Sequence, residues 1–401
     1  MTPEFQALSK LSDIVRNIDQ HTNEEILGLV NDCIEKKIIT EYYLLFLIDK
    51  LTTYNQIALK KYIPLIDAYT NGKKFNITKH MFYNYILTKY LTEGVYDESY
   101  AFCLDDVNSV VAYDDIEKLR NISISPNFDP SKYLEFATKY GSISCFKFLI
   151  NNCACEVSEQ AVQYAFVGNN LEIIHILERD YPGFINQRCL DLSLANHHHE
   201  TSQYLIDKYD FKITFHFSLC YYNFGFFFKL FDTLGVNSLD SSGDNPLKAA
   251  AMMHCPFVCH YLIEKGADVN MNDSYGRNAL HFAIHQEIFT GDEAFETIDL
   301  LVKNGSDLNS IDRENKTIIM YCAMENQFKC ARYLLERGCL IDHVDLEGKS
   351  ALILATFYGY PEVVKVLLEY NSSIYSGFCD FFCKRKNSYN IERFCIIFFN
   401  I

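Results

Sequence analysis

Three groups of residues in the 401-residue chain have types that could do chemistry. The first is His197-His198-His199-Glu200, a run of metal-ligand types. A zinc hydrolase places two histidines one helical turn apart so that both face one ion. Here the histidines are adjacent, fall between two expected helices and cannot all converge on one ion. The second group is cysteine. Cys379, Cys383 and Cys395 could bind zinc as thiolates, but a closed structural site takes four ligands, and no His follows His343. Cys255 and Cys259, four apart at a helix start, read as core or boundary thiols. Cys153 and Cys155 read as loop thiols with no obvious neighbour to lower a thiol pKa. The third group is acidic. Asp105–Asp106 and Asp114–Asp115 read as solvated caps and turns. A phosphate loop and a nucleophile elbow are both missing, and "YNFGFFF" is no dinucleotide fingerprint. The expectation is therefore no catalytic residue, no cofactor and no metal.

The elements around these residues say more. About half the chain is apolar, with 28 Tyr, 31 Phe, no Trp, 17 Gly and 8 Pro. That balance suits a mostly helical folded chain with a large core. The length exceeds what one globular core usually spans. No apolar stretch is long enough for a membrane-spanning helix, and "MTPEFQALSK" is no secretory leader. Fifteen scattered cysteines then read as reduced, mostly buried thiols of a cytoplasmic protein. A net charge of −16 argues against nucleic acid or an anionic membrane as partner.

The C-terminal half repeats itself. Units begin at Asp240, Asp273, Asp312 and Asp345, offset by 33, 39 and 33 residues, the longer one holding an insertion within 287–295. A period near 33 predicts stacked supersecondary units, each unable to bury its apolar face alone. Each unit opens Asp-x-x-Gly, with Asn315 replacing the glycine in the third. Gly243, Gly276 and Gly348 supply positive φ for a tight turn. Asn245, Asn278, Thr317 and Ser350 follow as helix N-caps. A first apolar helix, a short loop and a second helix come next, ending at Gly266, Gly305, Gly338 and Asn371. Ile263, Val302, Leu335 and Leu368 are the expected shared core position.

"NPLKAA" with "LIEKGADVN", and "NALHFA" with "LVKNGSDLN", resemble ankyrin repeats. The resemblance implies an all-α solenoid of stacked helix pairs with short β-hairpin fingers. Its repeats would be 240–272, 273–311, 312–344 and 345–375. The family's motif histidine, which ties neighbouring hairpins, is kept only as His281; Lys248, Met320 and Ile353 replace it, so a looser stack is expected there. The third and fourth repeats lack the proline of the pattern. Residues 99–239 resemble degenerate ankyrin-like helix pairs without fingers, with anchors at Leu149, Ile176 and Leu205. "HFSLCYYNFGFFFKLFDTLG" reads as one more divergent pair. Residues 1–98 form a helical N-terminal region, with starts expected at Asn23 and Thr78. This layout resembles a large divergent ankyrin family expanded in parasitic protists. In the tail, 376–401, the pattern stops. Three readings stand for it: a capping helix from Asn390 to Ile401, an association surface, or a poorly ordered end.

By resemblance, such arrays bind with hairpin tips and the exposed face of the first helix. The tip positions are Ser241 and Ser242, Ser274 and Tyr275, Arg313 and Glu314, Leu346 and Glu347. The helix-face positions are Met252 and Met253, His285 and Gln286, Met324 and Glu325, Phe357 and Tyr358. Aromatic anchors and adaptable Met are what protein recognition favours. The leading expectation is a non-enzymatic module binding a protein partner, one with basic patches given the acidic balance. The alternatives are an adaptor that joins a second component through 1–98, and an enzyme with an unrecognised site in 1–239.

Overall fold

The computed structural model describes residues 18–36, 59–70, 110–284 and 292–370, with short helical stretches within 6–15 and 44–48. Thr78, Asp105–Asp106, His285, Gln286, Asn371, Cys379, Cys383, Cys395 and the tail lie outside the described residues. The fold is all-α: among the described residues the only β pairing is two isolated bridges. No described helix is long and apolar enough to cross a membrane. The chain divides into two compact parts, 1–213 with 217–228, and 214–216 with 229–401.

In the first part a helix runs Asn23–Glu35 and packs on Leu59–Thr70. Ile26, Val30 and Cys33 recur at four and three residues and form its buried stripe. Its cap is Thr22 rather than Asn23: the Thr22 hydroxyl takes the Glu25 amide while the Glu25 carboxylate takes the Thr22 amide. This reciprocal bond satisfies two otherwise orphan donors, which Asn23 could not do from one residue inside.

Helix pairs follow. Pro130–Tyr140 leads into Ile143–Asn152, Glu159–Gly168 into Leu171–Asp180, and Gln187–Ala195 into His199–Tyr209. The leading helices stack on one another. They approach so closely that a Cβ on Gly168 would lie 2.2 Å from the Thr138 carbonyl oxygen. Leu149, Leu177 and Leu205 are the fully buried anchors, 28 residues apart; Ile176, the expected one, is only half-buried. Fingers are replaced by side-chain ties. Glu178 accepts from the hydroxyls of Tyr204 at 2.7 Å and Tyr209 at 2.5 Å, and Lys208 lies 2.9 Å away. Asp115 caps the helix Ile116–Ile122 as expected. Asp114, in a turn and in a left-handed conformation, is partly buried and accepts the Ser144 and Cys145 amides, so it caps a helix about 30 residues on, Ile143–Asn152.

In the second part the first helices of the four repeats are Pro246–Met252, Ala279–Ile284, Ile318–Met324 and Ala351–Tyr358. They stack in sequence. The second helices are Pro256–Glu264, Asp292–Lys303, Phe328–Leu335 and Pro361–Glu369. Asn245, Asn278 and Ser350 cap through their side chains, whereas the Thr317 hydroxyl makes no cap bond. The shared core position is one residue earlier than expected. Leu262, Leu301, Leu334 and Leu367 are fully buried, while Ile263, Val302 and Leu368 are half-buried; Leu335, 8% exposed, is buried as expected.

Candidate functional site

Each finger is organised by its opening aspartate. One carboxylate oxygen of Asp240, Asp273, Asp312 and Asp345 accepts the backbone amides two and four residues ahead, at 2.8–3.1 Å. The same aspartate's own amide donates to the carbonyl four residues on. The turn closes at Gly276 with φ +81° and at Asn315 with φ +61°. Backbone groups are satisfied within so few residues that each finger needs no long ladder. The two antiparallel bridges, Ile311 with Thr317 and Val344 with Ser350, are its whole strand content among the described residues.

Fingers also hold one another. The Arg313 amide donates to the Tyr275 carbonyl at 2.8 Å, and the Leu346 amide to the Glu314 carbonyl at 3.0 Å. Behind them an asparagine series joins the repeats. Asn237 and Asn270 each donate to the carbonyl of the next repeat's C-terminal glycine, Gly266 and Gly305, and accept the amide two residues beyond it. The lone motif histidine does not make the tie expected of it. His281 is 1% exposed, its Nδ1 accepts the Asn278 amide, and its Nε2 finds no acceptor. The tie to the next finger comes from Asn278, which donates to the Ser310 hydroxyl at 3.0 Å. Nor is the first junction loose. Lys248, in the histidine's position, reaches Asp273 of the next finger at 3.2 Å and Asp244 of its own at 2.5 Å, with its ammonium 4.3 Å from the Phe282 ring centroid. Arg277 grips the same Asp273 through Nε and Nη2. Burial pushes the Asp273 carboxyl up, but the Arg277 and Tyr275 amides, the guanidinium and Lys248 outweigh it and hold the group below its ordinary value.

Burial drives His281 down to about 4, against the upward pull of the Asp312 carboxylate. In the unfolded chain it protonates near its ordinary 6.5. Stability should therefore be intact above about pH 6.5 and fall as pH drops towards 4, by about 3 kcal/mol from this group. Urea titrations of the wild type and His281→Gln at pH 7 and pH 4 should diverge by that amount. Parallel losses would refute the assignment.

Of the tip residues, Ser241, Ser242, Ser274, Tyr275, Arg313, Glu314, Leu346 and Glu347 are all exposed. Leu346 is 75% exposed and Tyr275 59%. Two guanidinium groups lie over the Tyr275 ring, Arg277 at 5.1 Å and Arg313 at 5.8 Å from its centroid. On the helix face the expected row is only partly realised. Phe357 and Tyr358 are 39% and 43% exposed and meet edge to face at 5.2 Å. Met252, Met324 and Glu325 are half-buried. Met253 is buried, 4% exposed, and is corrected out of the surface. The first helix of that repeat ends at Met252, and the left-handed His254 then reverses the chain, which leaves an apolar side chain to turn inward. Tyr360, stacked on Tyr358 at 6.1 Å, belongs with the aromatic end but lies two residues beyond the row read from the sequence. In repeat four the tip and the aromatic end are separated by one eight-residue helix, about 12 Å. Lys349 spans part of that gap, pairing with Glu347 at 2.6 Å while its ammonium lies 5.7 Å from the Phe357 ring centroid.

The histidines of the 197–200 run are packed into the fold. His197 is buried in a left-handed conformation, the His198 ring sits 3.0 Å from the Val167 carbonyl, and the His199 ring packs 5.5 Å from Phe226. Among the described residues no group of His, Cys, Asp and Glu is arranged to hold a metal. Burial raises the thiols of Cys153, Cys155 and Cys259. Cys145 and Cys339 are pushed up to about 12. None of these is poised as a thiolate.

Comparison with known proteins agrees with this geometry. The chain matches ankyrin repeats, three copies, over residues 215–312 and 288–376. Residues 151–230 match a domain of unknown function, DUF3447. Over 150 residues the chain is 32% identical to ankyrin repeat protein nuc-2 of Neurospora crassa, covering 36% of this chain and 13% of that protein. It is 28% identical over 130 residues to a Caenorhabditis elegans homologue of transient receptor potential cation channel subfamily A member 1, covering 32% of this chain and 10% of that protein. It is 24% identical over 135 residues to palmitoyltransferase AKR1 of Lachancea kluyveri, covering 34% of this chain and 18% of that protein. The chain thus spans less than a fifth of the length of each.

Proposed function

We propose that this chain, whose residues 215–376 are ankyrin repeats, holds a protein partner along the tips of its fingers and the exposed aromatic end of its last first helix. Ankyrin repeats are protein-interaction modules, and the channel and transferase names belong to relatives alike over only 130 and 135 residues. The observation that carries the reading is the set Tyr275, Leu346, Phe357 and Tyr358. These are large apolar side chains left in solvent on a scaffold whose finger backbone is otherwise satisfied. Large exposed aromatics cost solubility, and they are the usual anchors of an interface. The array 240–375 is the binding element in this reading, and no reaction is assigned to it.

The test compares two baits in the native lysate. One is the intact chain; the other carries Tyr275→Ala, Leu346→Ala, Phe357→Ala and Tyr358→Ala, with an unchanged helical circular dichroism spectrum. A protein retained by the first and lost from the second supports the reading. Identical partner lists from two folded baits would move the working surface elsewhere on the chain.

A further inference from the structure

The fingers carry four cations, and three are already neutralised. Arg277 is held by Asp273, Lys316 by Glu314 and Lys349 by Glu347. In the third and fourth fingers the neutralising glutamate stands two residues before the lysine. In the second finger that position is Tyr275, and the arginine turns back to the turn aspartate instead. Arg313 is the exception. It is exposed, and among the described residues no carboxylate pairs with it; its guanidinium lies only over the Tyr275 ring. Ser241, Ser274, Arg313 and Leu346 occupy the same place in successive fingers, so the charge stands in a row whose other members are two serines and a 75% exposed leucine.

We infer that Arg313 is the charge-reading position of the binding surface, and that the segment it takes is an extended acidic peptide of a partner protein. An aspartate or glutamate of that peptide pairs with Arg313, and the adjacent apolar residue packs on Leu346 or Tyr275. This rests on the proposal that the finger tips bind protein. The guanidinium presents a donor fork suited to a carboxylate, and the tyrosine face beneath it excludes water from one side of the pair. The peptide's carboxylate completes a pattern that the protein's own glutamates complete at Lys316 and Lys349. The net charge of −16 acts differently: it slows the approach of acidic partners over long range and leaves the contact at Arg313 to select among those that arrive.

The experiment selects phage-displayed random dodecapeptides on the full-length chain. One enriched peptide is then synthesised and its affinity measured by fluorescence anisotropy against the wild type, Arg313→Lys, Arg313→Glu and the double variant Phe357→Ala/Tyr358→Ala. The expected pool has Asp or Glu beside an apolar residue. Its peptide should bind Arg313→Glu at least about tenfold more weakly. Arg313→Lys should fall between. Exchanging the peptide's carboxylate for a lysine should restore binding to Arg313→Glu. A pool without acidic enrichment, no pool at all, or equal affinity for wild type and Arg313→Glu would each overturn the inference. Equal affinity for Arg313→Glu together with loss in the Phe357→Ala/Tyr358→Ala variant would leave the aromatic surface as the binding site and remove only Arg313. Insensitivity to all the variants would remove both.

Discussion

Replacing Asp273 with alanine should destabilise the repeat array by about 3–5 kcal/mol, the range seen when one partner of a buried ion network is removed. Asp273 does three things from one carboxylate. It closes its own finger by accepting the Tyr275 and Arg277 amides. It holds the Arg277 guanidinium, which also rests 4.5 Å from the Phe282 ring centroid. It receives Lys248 from the preceding repeat, whose side chain is almost wholly out of water. Truncation therefore leaves one buried cation short of a partner and opens a turn at the same time. Asp345 is the matched control, because it accepts the Glu347 and Lys349 amides, and Lys316 of the preceding repeat acts on it through its field without a direct ion pair among the described residues. Asp345→Ala should cost only about 1–3 kcal/mol, the penalty for orphaned buried donors. Equilibrium urea denaturation of the two variants decides the matter. Equal losses would mean that the Lys248 network adds nothing beyond the turn. Lys248→Met should cost less than Asp273→Ala, since it removes the buried charge itself and leaves Asp273 paired with Arg277.

The repeat period, the turn glycines and the capping types were legible because each is a local backbone demand that few residue types satisfy. Gly276 and Gly348 do adopt positive φ, and Asn315 takes the same conformation in the third turn. What could not be read was any feature set by a neighbour 25 to 35 residues away. Lys248 stands where the pattern has histidine, and by itself suggests a solvated break in the stack. Only the packed neighbour shows that Asp273 arrives beside it. His281 fits the pattern, yet its Nε2 meets no acceptor and the junction is tied by Asn278. The opening aspartates were visible as a recurring letter, but their purpose appears once the finger folds back and brings two amides onto one oxygen. Among surface residues the tips were legible, since a residue inside a two-residue turn has nowhere to go but solvent. Met253 was not, because whether the residue just after a helix points in or out depends on how the chain reverses at His254.

The same difficulty sets the second large effect, at the core of the second helices. Each carries two consecutive apolar residues: Leu262–Ile263, Leu301–Val302, Leu334–Leu335 and Leu367–Leu368. Type alone does not separate the two, but successive helix positions differ by about 100°, so one of each pair faces the centre of the stack, and of the other four Leu335 alone is also buried. The earlier residues decide which. Val258 and Cys259, Ile298, Cys330 and Ala331, and Val363 and Val364 are all buried, and the residue one turn beyond them is the leucine. Leu262→Ala should therefore cost about 2–5 kcal/mol, a full buried truncation with its cavity. Ile263→Ala, whose side chain keeps part of its surface in water, should cost roughly half as much. Because each repeat supplies its neighbour's core, the Leu262 cavity weakens the interfaces its repeat shares as well as the repeat itself, and the loss should appear as a lower midpoint of the array's cooperative unfolding. Chemical denaturation of both variants measures it. A larger loss for Ile263→Ala would restore the register first read from the sequence and place the stack's centre one residue further along each helix.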